Sequence, residues 1–343
     1  MRSCARVSCR PSTRPGALVT SSSWQAPGEG SEFEPEVVDQ FKRAFYDQLA
    51  GGPNSPVMIA DVEGRGRAIV ARHNITKGQL ITAEKPFVSY LSERVETHGA
   101  AHPPKPTRCD HCMRGLPPAA AKAAQHNNPA GLLLARYHEA ICELGKEVRE
   151  MEIHCSKDKR KFPLLAMRTM ARILLNFRDT GSLDATWVPL QVLGFAKQKP
   201  ELWTQDYDVF KRCFIHNEDQ ADFFSYEWYC RMMQIFYINS VSVTMDSTQQ
   251  NVGAGLYILS SFYNHSCVPN TRSSYPENNT WHVYASKPIE AGQEIFISYV
   301  DHMKSNKTVE TRRQHLYNHY GFWCECPRCR LELDLARREQ GPA

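Results

Sequence analysis

The chain has 343 residues, 42% of them hydrophobic, with 41 Lys and Arg against 37 Asp and Glu, and 12 cysteines. That composition excludes a mainly disordered or collagen-like chain, and no apolar run approaches the roughly 18 residues of a membrane-spanning helix. Residues 1–28 hold Arg2, Arg6, Arg10 and Arg14 and no acid; removing those four leaves 37 basic residues against 37 acidic, which excludes a uniformly basic nucleic-acid binder.

Residues 1–56 read as a leader, mostly disordered, rich in Arg, Ser, Gly and Pro at its start. Phe33, Val37, Phe41 and Phe45 recur every four residues and predict one amphipathic helix over 33–49. The first residues share the look of a mitochondrial transit peptide, but a plain leader is the preferred reading; nucleus or cytoplasm is expected. Residues 57–95 contain the short strand-like runs Val57–Ala60, Ala68–Ala71, Leu80–Ala83 and Phe87–Leu91, punctuated by Gly64, Gly66 and Gly78. With no helix between them they predict small antiparallel sheets, hence an α+β fold.

Residues 96–156 change character, with Pro103, Pro104, Pro106, Pro117 and Pro118 around Cys109 and Cys112, and read as an insertion. Its end carries a helical stripe of Leu133, Tyr137, Ile141, Leu144 and Val148; Leu164–Phe177 and Tyr226–Ile238 carry others, making 157–235 a helical segment. Residues 236–303 hold a Gly-rich turn beginning at Gly253, an apolar run, and then Asn264-His265-Ser266-Cys267-Val268-Pro269-Asn270. Alternation at Trp281, Val283, Ala285 and at Ile295, Ile297, Tyr299 predicts two strands. Residues 304–335 contain Cys324-Glu325-Cys326-Pro327-Arg328-Cys329, and 336–343 form a tail. No repeat is visible.

The cysteines argue for metal. A disulfide scaffold belongs to short secreted chains, and this long one has no apolar signal segment at its start. Cys109–Cys112 and Cys324–Cys326–Cys329 sit at spacings that grip one Zn²⁺. Cys213 and Cys230 lie in helical stretches and read as core thiols.

Three segments in order carry a resemblance: the Asn264–Asn270 motif, Gly292-Gln293-Glu294-Ile295-Phe296-Ile297-Ser298-Tyr299-Val300-Asp301, and the Cys324–Cys329 triplet. Together they resemble SET-domain lysine methyltransferases, and Glu63-Gly64-Arg65-Gly66-Arg67-Ala68 resembles that family's first glycine turn. An inserted cysteine pair followed by helices is similar to the SET and MYND group, most of all its divergent fifth member. The resemblance implies a SET fold of small twisted sheets, a knot-like crossover through the Asn264–Cys267 segment, a helical insertion and a zinc-bound loop after the core. It also implies S-adenosylmethionine as methyl donor and a protein or peptide lysine as acceptor, from histone or non-histone proteins. No nucleic acid or membrane partner is expected, and a monomer is.

The same resemblance distributes roles. Tyr299 matches the catalytic tyrosine, and Tyr257 of Gly255-Leu256-Tyr257 a tyrosine shaping the lysine channel. Gly64, Arg65, Gly66, Asn239, Asn264, His265, Tyr299 and Phe322 fall at cofactor-binding positions. Arg65 stands where relatives often carry Asn. Cys267 becomes the fourth ligand to the zinc of Cys324, Cys326 and Cys329. Cys109 and Cys112 resemble the opening of a MYND module, and His138 with Cys142 its closing pair. The middle pairs are missing, leaving three readings: one hybrid site from Cys109, Cys112, His138 and Cys142, weak or no metal, or a chain lacking residues between 113 and 137.

The chemistry is coherent on its own terms. A lysine amine, with a reference pKa of about 10.4, must lose its proton before attacking a sulfonium methyl. A desolvated channel lowers that pKa, and positioning supplies much of the rate. Asp206, Asp208, Glu218, Asp219 and Asp222 offer either an acidic rim for basic substrate flanks or a solvated face. The alternative function is a catalytically silent SET-fold scaffold for protein partners. A nucleic-acid-binding zinc module fits poorly, because the body is neutral and lacks a basic finger helix.

Overall fold

The twist and pairing of short strands position the site. In the computed structural model the described residues are 43–92, 113, 145–183, 186–247, 249–300 and 308–339. Cys109, Cys112, His138 and Cys142, and most of the 33–49 helix, lie outside them; a helix, α1, is present over 43–49.

Strands β1 (Val57–Val62) and β2 (Gly66–Ala71) form an antiparallel hairpin. Its turn holds Gly64 and Gly66 at φ of 72° and 70°, a region where a Cβ is costly. β3 (Leu80–Glu84) and β4 (Val88–Leu91) follow, each joining a different three-stranded sheet.

The helical segment then intervenes. α2 (Gly145–Lys157) crosses the expected boundary at 156. α3 (Phe162–Thr180) starts with a proline in its first turn and ends at Gly181, whose φ of 69° turns its N–H back to the Phe177 carbonyl. α3 buries Leu164, Leu165, Met167 and Met170. Arg168 and Arg172, one turn apart on α3, donate to the Ser89 and Phe87 carbonyls and fasten the helix to β4. α4 (Val188–Gln191), α5 (Leu202–Phe214), α6 (Glu218–Phe223) and α7 (Tyr226–Asn239) complete the segment. Phe210, Phe214, Phe224, Trp228 and Tyr229 form its buried aromatic centre. Cys213 and Cys230 are buried there as expected, and so is Cys155.

β5 (Ser240–Met245) and β6 (Gln250–Leu256) add a hairpin that sets β6 between β4 and β5. Gly253 and Gly255 therefore lie inside a strand, where the sequence pattern predicts a turn. At Gly253 a Cβ would sit 2.1 Å from the Tyr90 carbonyl oxygen and 3.0 Å from Met113 Cε, so the close approach of β4 requires glycine. A 3₁₀ turn (Leu259–Phe262) leads to β7 (Asn264–His265). β8 (Thr271–Ser274) and β9 (Trp281–Ala285) pair antiparallel, with β3 on the far side of β9. β10 (Phe296–Ile297) then returns to run parallel to β7. α8 (Val309–Tyr320) and α9 (Pro327–Glu339) follow; α9 runs on through the stretch read as a tail.

Asp206 corrects one expectation. It is buried, and its Oδ1 accepts from His154 Nε2 at 2.7 Å and Arg160 Nη1 at 2.5 Å, so it offers nothing to a substrate. Asp208, Glu218, Asp219 and Asp222 are exposed. Glu218 and Asp219 occupy the first turn of α6 behind the Asn217 cap, where the helix dipole favours acids.

Candidate active site and cysteine cluster

The parallel β7–β10 pair brings together residues far apart in sequence. Phe296 registers with Asn264 and Ile297 with His265, so Tyr299, two residues on, falls just past the end of β7 and its side chain reaches back along that strand. Its N–H donates to His265 Nδ1 at 3.0 Å, and its hydroxyl donates to the Tyr263 carbonyl at 2.6 Å. Burial, with Tyr320 and Glu294 nearby, pushes the Tyr299 phenol above the ordinary tyrosine value. It is a neutral hydrogen-bonding group at neutral pH, not a phenolate base.

Two aromatics from beyond β10 close over it. Tyr320 ends α8 with its ring 4.8 Å from that of Tyr299, and Phe322 stands edge-on at 6.3 Å and 6.2 Å from His265. Gly321 between them, at φ 78°, ends the helix and turns the chain so that both rings reach the tyrosine. Phe322 was legible in the sequence and Tyr320 was not; the only signal was the density of aromatics from Tyr317 to Trp323 before the cysteines.

The glycine turn joins this cluster through Glu294. Asn264 Nδ2 donates to Glu294 Oε1 at 2.8 Å, and Arg65 Nη1 pairs with Glu294 Oε2 at 2.9 Å. The Arg65 guanidinium also lies 5.3 Å from the centre of the Phe296 ring. Arg65 thus has a defined place, and Glu294, one position of the Gly292–Asp301 motif, ties the turn to β7 through Arg65 and Asn264. A Cβ at Gly64 or Gly66 would meet nothing within 4 Å, so open space lies beside the turn.

Asn239, at the end of α7, donates to the carbonyls of Ile235 and Gly194, both at 2.8 Å. Arg67 donates to Val192 O in the same loop and lies over Phe262, which links Asn239 to the β2 side of the site. Tyr257 belongs to a different group. It is fully buried, its hydroxyl donates to Asn279 O at 2.7 Å, and its ring packs on Trp281 at 5.5 Å. The structure gives Tyr257 a place in the core between β6 and β9, where its hydroxyl is already engaged.

Cys267 follows His265 by two residues and meets Cys324, Cys326 and Cys329; the four sulfurs lie within 4.8 Å of one another. Cys267 Sγ is 3.9 Å from Cys324 Sγ and 3.6 Å from Cys329 Sγ, and all four thiols are free. A tetrahedral Zn²⁺ with Zn–S bonds of about 2.3 Å has S···S edges of about 3.8 Å, so the spacing fits one such ion. Arg312, fully buried on α8, places Nη2 3.9 Å from Cys329 Sγ and 2.5 Å from Glu332 Oε2. Four thiolates around one divalent ion would carry excess negative charge, which this guanidinium offsets. Arg313 Nε donates to the Cys324 carbonyl at 3.1 Å.

His265 connects the two features. Its Nδ1 accepts the Tyr299 N–H, so the proton of the neutral ring sits on Nε2, 3.3 Å from Cys267 Sγ.

Residues 66–300 match the family model of the SET domain. The chain belongs to the SET-domain family. A SET and MYND domain-containing protein of Dictyostelium discoideum is 35% identical over 288 residues, covering 77% of this chain and 80% of that one. The protein-lysine N-trimethyltransferase SMYD5 of Homo sapiens is 23% identical over 388 residues, covering 85% and 90%. The histone-lysine N-methyltransferase ATXR4 of Arabidopsis thaliana is 23% identical over 309 residues, covering 82% and 88%. Among solved structures, the SET domain of LSMT bound to lysine and AdoHcy aligns with a TM-score of 0.37 and 13% identity, over 85% of this chain and 58% of that one. This SET protein is therefore SMYD-like, and among its relatives are proteins named as lysine methyltransferases.

Proposed function

We propose that this SET protein is a protein-lysine N-methyltransferase that takes its methyl group from S-adenosylmethionine. The observation that carries this reading is the Tyr299 hydroxyl, held on the Tyr263 carbonyl within a ring of His265, Tyr320 and Phe322. Bound S-adenosylmethionine supplies an electrophilic sulfonium methyl. The open space beside Gly64 and Gly66 and the half-exposed Arg65 guanidinium suit a ligand that bears a carboxylate. Asn264 and His265, on a strand pinned by Glu294 and Tyr299, offer backbone groups along the same edge. Tyr320, Phe322 and Tyr299 form an apolar wall that excludes water and favours the neutral amine. Tyr299, neutral and fixed at its hydroxyl, orients the reacting groups and takes no proton itself.

Cys267, Cys324, Cys326 and Cys329 would hold a structural zinc that keeps Phe322 over His265. The acceptor is a lysine of a histone or another protein.

Transfer of labelled methyl from S-adenosylmethionine to proteins of a cell lysate tests the reading, with Tyr299→Phe beside wild type. The expected result is labelled protein bands that fall at least tenfold in the variant. A folded, zinc-loaded wild type that labels nothing would leave a silent scaffold.

A further inference from the structure

Strand β3 presents Thr82 and Glu84 on one face, since strand side chains alternate, and pairing with β9 opposite Val283 and Trp281 holds that face in place. Glu84 Oε1 accepts the Leu259 N–H at 2.8 Å, and Oε2 accepts the Ser260 N–H at 2.9 Å and the Ser260 hydroxyl at 2.7 Å. One carboxylate thus caps the start of the 3₁₀ turn Leu259–Phe262 with three charge-assisted bonds. Thr82 Oγ1, one pleat away, bonds the hydroxyl of Tyr263 at 2.9 Å, at the other end of that turn. Tyr263 is fully buried, and its carbonyl is the acceptor for the Tyr299 hydroxyl.

We infer that Glu84, with Thr82, is a positioning residue for methyl transfer: it fixes the 3₁₀ turn so that the Tyr263 carbonyl holds the Tyr299 hydroxyl in register with the reacting groups. The inference rests on the methyltransferase reading for its effect on turnover, but not for its geometry. Neither residue stands in the Asn264–Asn270 motif or touches Tyr299, so the effect passes through the turn. Glutamine at 84 has nearly the same shape, but whichever way its amide is turned the NH₂ group cannot accept at least one of the three bonds. Aspartate keeps the charge on a shorter stem.

The test compares wild type, Glu84→Gln, Glu84→Asp and Thr82→Val in two readouts. The first is steady-state methyl transfer. The expected result for Glu84→Gln is a kcat about tenfold lower with a KM for S-adenosylmethionine within about twofold, and for Glu84→Asp a partial recovery of kcat. The second is the ¹⁹F resonance of 3-fluorotyrosine placed at position 299, expected to move in Glu84→Gln and in Thr82→Val at unchanged melting temperature. A folded Glu84→Gln protein with wild-type kcat overturns the inference, as does an unmoved fluorine resonance. If Glu84→Gln does not fold, Thr82→Val decides by the same two criteria. If wild type transfers no methyl yet the resonance moves, the positioning stands and the reading of the function falls.

Discussion

His265 has both ring nitrogens engaged, one by the Tyr299 N–H and the other beside Cys267 Sγ. The residue types that chemistry most plainly marks stand close by in sequence, the Asn264 amide, the His265 imidazole and the Cys267 thiol within four positions, and Tyr299 follows the alternating run of Ile295 and Ile297. That is why Asn264, His265, Cys267 and Tyr299 were legible from residue types. Glu294 and Arg312 were not, because a lone acid on an alternating strand and an arginine beside Arg313 on a polar helix look like solvated side chains. Only the fold shows them facing Asn264 and the cysteines. Arg312→Met is expected to weaken zinc binding about tenfold to a hundredfold, read by competition with a chromophoric chelator. The buried tyrosines contribute to the alkaline limit, alongside the buried thiols of Cys155, Cys213 and Cys230. Burial raises the phenols of Tyr263, Tyr275 and Tyr299, so all three are neutral in the fold. A group raised on folding stabilises fully below its unfolded value, about 10 here, and loses that contribution as pH climbs through its folded value. Urea titrations are therefore expected to show stability falling above pH 10, with a shallower fall in Tyr299→Phe.

Elements differed in how well their pattern announced them. The stripes in α3 and α7 predict helices within a few residues of those observed, because one apolar face recurs over several turns. The β5–β6 hairpin escaped notice because Gly253 and Gly255 resemble a turn, while the real requirement is room for the Tyr90 carbonyl. Gly253→Ala is expected to cost about 1–3 kcal/mol by overpacking against that backbone, seen as a lower urea midpoint. Ser225 Oγ accepts the Trp228 N–H at the start of α7, and Ser225→Ala is expected to cost about 1 kcal/mol in the same assay.

At the scale of the molecule, the order of the described segments was legible: strands, helices, the β7–β10 core and the cysteine triplet. The pairing of β10 with β7 rested on the resemblance, since no local pattern shows a parallel partner. Cys267 lies in the core, and Cys324, 57 residues later, lies in the segment carrying α8 and α9. The zinc would thus act as a rivet between the two. Chelation is expected to raise hydrogen exchange across 308–339 while β1–β2 and β4–β6 keep their protection, and to free Tyr320 and Phe322 from Tyr299.

The parallel strand pair also dates the site within the life of the polypeptide. The β1–β2 and β5–β6 hairpins join neighbouring segments and can close as soon as they leave the ribosome. Asn264 and His265 must wait for Phe296 and Ile297, and their aromatic cover waits longer still, for Tyr320 and Phe322. Nascent chains arrested after Ala285 are expected to protect β5–β6 from protease while retaining no S-adenosylmethionine on a filter, and chains arrested beyond Cys329 to retain it. On the proposed function, a chain would become competent only once Tyr320 and Phe322 have emerged, so one halted before them could not modify its neighbours.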